Sequence, residues 1–272
     1  MGLTGVIIEI KIKLLKINSD KILQEKIFFN KLSNLIYQIK LKKNYYSVAW
    51  LDCFSLNLKN KNINSILYLG EHSKKIKKPK HKFKFSNQLT INNFWLSILR
   101  IFMNDFFIKL FNITKYFYEK YFQTKKSLIG INKFFYPLDK FKNWNKLYGE
   151  KGFLQYQFVV PYKSSEKLIL KILSILTKEK LIPYLAVLKN MKKDNGVLSF
   201  SLNGISLALD IPYSKKVLRV IPSLDNLILE HKGKIYLTKD SILKKKQFKN
   251  MYDQFNYLKN FRKKYKIENL KS

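Results

Sequence analysis

The sequence predicts an α+β fold in which helices cover a mainly antiparallel β-sheet. Hydrophobic residues make up 46% of the 272 residues and aromatic residues 15%, enough for a sizeable core. Between residues 153 and 237 the predicted order is strand, helix, three strands, helix, strand. Three strands without intervening helices are typical of antiparallel pairing.

The first half of the chain carries weaker patterns. Strict alternation at 8–14, led by Val6 and Ile7, predicts a half-buried strand from Val6 to Leu14. Apolar spacing predicts an amphipathic helix over 21–43, and strands follow at 46–52 and 65–69. The aromatic stretch 94–122 is interpreted as a buried helix, with a helix at a membrane interface as the alternative.

The second half gives clearer elements. We predict a helix capped by Ser164 or Ser165, a helix over 215–230 and a helical tail over 243–264. The predicted strands lie at 153–160, 181–188, 197–200, 205–211 and 235–237.

The formal net charge of +35 admits nucleic acid or an anionic membrane as partners. Only three of the 53 basic residues, Arg100, Arg219 and Arg262, are arginines, the residue on which nucleic-acid readers depend for bidentate contacts. Asn, Ile, Phe and Tyr are abundant as well, so codon bias explains the lysines together with these residues. A lysine-rich stretch at 73–84 is interpreted as a solvated loop, with a phosphate or lipid-headgroup patch as the alternative.

Common catalytic motifs are absent from the sequence. It contains no Gly-rich phosphate loop, GxSxG elbow or HExxH motif. The single cysteine, Cys53, excludes an intrachain disulfide and is interpreted as a core residue. No signal peptide or uninterrupted transmembrane stretch is apparent, so we expect a cytoplasmic protein or one peripheral to the inner face of the membrane.

Several segments together resemble the decaprenylphosphoryl-β-D-ribose oxidase family of vanillyl-alcohol-oxidase-like flavoproteins. The resemblance is strongest from residue 134 onward. It is carried by FFYPLD at 134–139, WNKLYG at 144–149, GFLQYQFVVP at 152–161, VLK at 187–189, DIP at 210–212 and IYLTKDS at 235–241. Earlier matches are YSVAWLD at 46–52 and GLTGVI at 2–7.

The resemblance implies that residues 16–272 form the substrate-binding (cap) domain and that residues 1–15 are the end of an FAD-binding domain. In this family FAD accepts a hydride from a secondary hydroxyl of a polyprenyl-phosphate sugar, and a short-chain reductase completes the epimerisation. We therefore expect non-covalent FAD, held mainly by a separately encoded FAD-binding half, and a lipid-linked sugar from a cell-wall precursor pathway. No specific nucleic-acid partner is expected.

The same resemblance implies roles for particular residues. Lys239 is the expected catalytic residue, because an ammonium group beside the reacting hydroxyl stabilises a developing alkoxide, and Tyr236 is its hydrogen-bonding neighbour. The other expected site residues are Gln155, Gln157, Lys189 and Trp50 for substrate, and Gln157, Lys239 and Gly5 for the cofactor. No metal is expected. The rival hypotheses are an inactive truncated remnant and a basic module that binds membrane surfaces or nucleic acid.

Overall fold

The computed structural model describes residues 4–42, 46–74, 89–90, 93–142, 144–239 and 242–270. They form the predicted α+β arrangement. The strands are β1 (Lys21–Lys31), β2 (Tyr46–Leu51), β3 (Asn62–His72), β4 (Leu89–Thr90), β5 (Lys126–Gly130), β6 (Phe141–Lys142), β7 (Phe153–Pro161), β8 (Leu185–Met191), β9 (Gly204–Pro212) and β10 (Lys234–Ile235). The helices are α1 (Leu32–Leu41), α2 (Asn93–Ile101), α3 (Asp105–Tyr121), α4 (Ile131–Phe135), α5 (Tyr162–Lys178), α6 (Lys215–Glu230), α7 (Lys245–Met251) and α8 (Phe255–Lys264).

Eight strands form one sheet in the order β10-β7-β9-β8-β2-β3-β1-β5, and every neighbouring pair in it is antiparallel. The small strands β4 and β6 pair separately, in parallel. Because successive strand residues point to opposite faces, each strand of the large sheet contributes to two surfaces. These two surfaces have different roles in this chain.

The first face carries the main core. Apolar side chains from β7 and β9, including Phe158 and Leu207, are fully buried against α5 and α6. On α6 the core residues Val217, Ile221 and Ile228 recur at helical spacing, and the Ser214 hydroxyl accepts the N–H of Val217 at the start of the helix. This helix has the predicted bounds.

The predicted helix over 21–43 is wrong in its first half. Residues 21–31 form β1, which pairs with β3 on one side and β5 on the other, and only Leu32–Leu41 is helical. The apolar residues in this stretch fit both the helical and the extended periodicity. Hydrogen bonding to two distant strands decides for the extended conformation.

Three smaller predictions also require correction. The predicted strand from Val6 to Leu14 forms no strand, and its apolar side chains are exposed, with Ile8 97% exposed. Residues 197–200 likewise lie in turn and loop structure. Helix α5 begins at Tyr162, before Ser164 and Ser165, whose hydroxyls donate back to the carbonyls of Pro161 and Tyr162.

The stretch 94–122 is helical, but the interpretation as a buried helix is wrong. It forms α2 and α3, and most of its large apolar side chains are exposed, including Phe106 at 70%. Within the described ranges, neither these helices nor any other is both long and apolar enough to cross a membrane. Most of the predicted lysine loop at 73–84 lies outside the described residues.

Candidate active site

The second face of the large sheet is divided between an apolar part and a polar part. Helix α3 covers the apolar part, where Tyr116 packs on Trp50 and Ile66. The polar part is formed by β7, β9 and β8. Gln155 and Gln157 point to this side, because the intervening Tyr156 belongs to the main core on the other face.

The two glutamines bond to the neighbouring strand β9. Gln155 Nε2 donates to Asp210 Oδ1 at 2.8 Å, and Gln157 Nε2 donates to Ser206 Oγ at 3.1 Å. Antiparallel pairing places Gln155 opposite Asp210 and Ser206 opposite Lys189 of β8. With both amide nitrogens engaged, each glutamine retains its carbonyl oxygen as an acceptor on the half-buried surface.

Asp210 is the most perturbed acid of this surface. Its side chain is buried, and its Oδ2 atom has no hydrogen-bond partner among the described residues. Burial raises its pKa from 3.8 to about 6, against the opposing effects of the Gln155 hydrogen bond and the positive charge of Lys239. In the sequence, Asp210 was identified only as part of the matching segment at 210–212. The sequence feature that could have identified it is an acidic residue within a strand, between the apolar residues Leu209 and Ile211.

Lys239 and Tyr236 lie in the turn that follows β10. The backbone N–H of Tyr236 donates to the Gln157 carbonyl at 2.9 Å, and the N–H of Lys239 donates to the Tyr236 carbonyl at 2.9 Å. The turn is therefore tied to β7, and the Lys239 ammonium acts electrostatically on Asp210. The Lys239 side chain is exposed, so it is not the desolvated lysine that a general base requires. The ring of Tyr236 lies 4.7 Å from Phe200.

Two tyrosines that no sequence pattern singled out as site residues border the polar surface. Tyr148 stacks on Phe153 at 4.3 Å and on Tyr184 at 6.1 Å. Burial, followed by the charge of Asp210, raises the pKa of Tyr148. Burial and the neighbouring Asp105 carboxylate raise the pKa of Tyr184 to about 12. Both hydroxyls therefore stay protonated and act as hydrogen-bonding groups at neutral pH.

A cavity of about 620 Å³ opens on the same sheet face beside β2 and β8. Lys189 lines it together with Lys192, Asn190 and Asp139, and the role of Lys189 in substrate binding stays a prediction. Its remaining walls are largely apolar and aromatic, formed by Tyr46, Ser47, Val48, Phe134, Phe135, Tyr136, Pro137, Leu138, Trp144 and Val187. Such a mixture suits a ligand of moderate size that has both an apolar and an anionic part.

Two predicted site residues lie elsewhere. Trp50 is buried beneath α3, with the Lys115 ammonium 5.0 Å from its ring centroid, and it does not line the cavity. Helix α3 covers this part of the sheet, and a role of Trp50 in substrate binding stays a prediction. Gly5 lies in the exposed segment before β1 with a φ of +132°, and its cofactor role stays a prediction. Among the described residues, no cluster of acidic, histidine or cysteine side chains suits a metal ion.

Comparison with known proteins identifies similarity to a curated oxidase. No family model matches the chain. The chain is 29% identical over 259 residues to a protein of Mycolicibacterium smegmatis described as decaprenylphosphoryl-β-D-ribose oxidase. The match covers 92% of this chain and 55% of the relative, so the chain spans about half of the relative's length. The predicted resemblance to decaprenylphosphoryl-β-D-ribose oxidase is thereby confirmed over nearly the whole chain.

Proposed function

We propose that this chain is the substrate-binding part of an FAD-dependent oxidoreductase that oxidises a secondary hydroxyl of a phosphorylated, lipid-linked sugar. The carrying observation is that Gln155, Gln157, Asp210, Lys189 and Lys239 gather at one face of three adjacent strands. The similarity to a decaprenylphosphoryl-β-D-ribose oxidase supports an oxidase and a sugar substrate of this class.

The polar groups on this face fit the polar edge of a flavin ring. The glutamine carbonyls offer acceptors, and the Lys239 ammonium offers a positive charge for carbonyl oxygens. Bound FAD would supply the hydride acceptor. The described residues contain no glycine-rich loop that could cradle its pyrophosphate, and we propose that a separately encoded FAD-binding half provides one.

The chain's own residues then position the substrate and manage its charge. The carbonyl oxygens of Gln155 and Gln157 accept hydrogen bonds from sugar hydroxyls, and their amide nitrogens are fixed by Asp210 and Ser206. Lys239 stabilises the negative charge that develops on the reacting oxygen as the hydroxyl proton passes to solvent water. Asp210 is a positioning residue, because its buried carboxylate holds Gln155 and faces Lys239.

The cavity accounts for the rest of the substrate. Lys189 and Lys192 offer two ammonium groups to a phosphate, and aromatic walls at Tyr136 and Trp144 suit the apolar face of a sugar ring. The phosphate contact would anchor the substrate without taking part in the chemistry.

Two experiments test this proposal. FAD titration of the chain alone, followed by flavin absorbance, should show no stoichiometric binding. With a separately expressed FAD-binding half present, binding should appear, and a polyprenyl-phosphate pentose should bleach the flavin under anaerobic conditions. Lys189→Gln should raise the substrate concentration needed for half-maximal bleaching, whereas Lys232→Gln, an exposed lysine outside the cavity, should not. Absence of bleaching in the presence of bound flavin would count against the proposal.

A further inference from the structure

Helix α3 carries an apolar stripe that faces away from the sheet. Five residues recur at the spacing of one helix face, and all are exposed: Phe106, Leu110, Ile113, Phe117 and Tyr121. Phe111, Tyr118 and Phe122 widen this surface on one side, and Trp95 and Ile101 of α2 are also exposed. So many neighbouring exposed apolar side chains are unusual on a protein surface that contacts only water.

Helix α3 holds its acidic residues and its exposed lysines at different positions relative to the apolar stripe. Its two acidic residues lie away from the stripe. Glu119 is bonded to Lys26, Lys115 and Tyr68 above the sheet, and Asp105 lies at the first turn beside Tyr184. The exposed Lys109 and Lys120 flank the stripe at its border.

The apolar stripe and the lysines at its border together indicate which kind of partner this surface binds. Lysine is depleted in protein–protein interfaces, whereas aromatic residues with flanking lysines are typical of helices that lie in the headgroup region of a bilayer. The net charge of +35 adds long-range attraction to an anionic surface. We propose that the α2–α3 surface docks on an anionic lipid bilayer, with the stripe inserted at the headgroup boundary and Lys109 and Lys120 on lipid phosphates. This inference does not depend on the proposed function.

Vesicle co-sedimentation of the full chain separates insertion from general charge attraction. Phe106→Ser/Phe117→Ser keeps the net charge, and both positions are exposed, so the fold should persist. The control Tyr257→Ser/Tyr265→Ser removes two comparably exposed rings at α8 and its C-terminal end. On vesicles of phosphatidylcholine with phosphatidylglycerol at raised salt, we expect the first pair to weaken binding by about a hundredfold, roughly tenfold per ring, and the control to change little.

The lysines are tested in the same way. Lys109→Gln/Lys120→Gln should weaken binding to these anionic vesicles about tenfold or more and should leave binding to phosphatidylcholine alone unchanged. Lys259→Gln/Lys263→Gln alters the net charge equally on α8 and should have a much smaller effect. Equal losses in the two pairs would mean that charge alone attracts the chain, and would overturn the proposal.

A site-specific probe gives a second readout. Cys53 is the only cysteine, is buried, and has a thiol pKa raised by burial, so it resists labelling. An environment-sensitive dye at Phe117→Cys should therefore report from one place, and its emission should shift to the blue on anionic vesicles. Dye at Tyr257→Cys should not respond. An unchanged spectrum at position 117 would overturn membrane docking and leave the surface to a protein partner.

Discussion

Replacing Asp210 by asparagine should remove a specific pH dependence from the stability of this chain. The folded protein holds the Asp210 proton up to a pKa of about 6, whereas the unfolded chain releases it near 3.8. Between these values the folded state binds the extra proton, so the free energy of unfolding falls as pH rises and is constant above the window. The difference between the two pKa values corresponds to about 3 kcal/mol.

The substitution preserves the local contacts well enough to isolate this effect. In Asp210→Asn the side-chain carbonyl would replace Oδ1 as acceptor for Gln155 Nε2. The new amide nitrogen would replace Oδ2, which lacks a hydrogen-bond partner among the described residues. Burying that amide nitrogen costs about 1–3 kcal/mol, but it does so at every pH. The pH slope, rather than the stability at one pH, therefore carries the prediction.

Urea unfolding at intervals from about pH 4 to 8 measures the slope in both proteins. Other titrating groups cancel in the difference between wild type and Asp210→Asn. Lys239→Met supplies a second check, because the charge of Lys239 lowers the pKa of Asp210. With Asp210 present, this substitution should extend the pH range over which the free energy of unfolding falls to higher pH. In the Asp210→Asn background it should not change the slope. Parallel profiles for wild type and Asp210→Asn would refute the assignment of a buried carboxyl with a raised pKa.

Three further outcomes are expected. With an FAD-binding half supplied, Lys239→Ala should slow anaerobic flavin reduction about 10²–10³-fold while circular dichroism stays unchanged, and wild-type rates would contradict its role. Although burial raises the pKa of Glu119, its bonds to Lys115 and Lys26 outweigh this and lower it. The stability that Glu119 contributes should therefore be lost as pH falls. Glu119→Gln should lower the free energy of unfolding in urea by about 1–3 kcal/mol at neutral pH and should weaken its decline at acidic pH. An unchanged decline would count against the bonds of Glu119 to Lys115 and Lys26. A Cβ at Gly204 would lie 2.0 Å from a backbone carbonyl oxygen of β7, so Gly204→Ala should lower the melting temperature strongly, whereas Gly130→Ala, with open space around it, should not.

The sequence alone determined those elements whose signals are local. Helix α6 was predicted with its correct bounds because its apolar residues recur on one face over four turns. The structure adds the Ser214 cap at its start. Alternation along a strand also predicted that Gln155 and Gln157 share one face, as they do on β7. That Lys189 lies on the same face follows only from the pairing of β8 with β9.

The tertiary structure decided everything that depends on distant partners. Residues 21–31 satisfy both helical and extended patterns, and pairing with β3 and β5 selected the strand. Asp210 became a site residue only through Gln155, 55 positions away, and through burial that no local pattern reports. Whether α3 is buried or exposed was likewise undetermined, because a helix that is apolar on several sides gives no indication of which side meets the sheet.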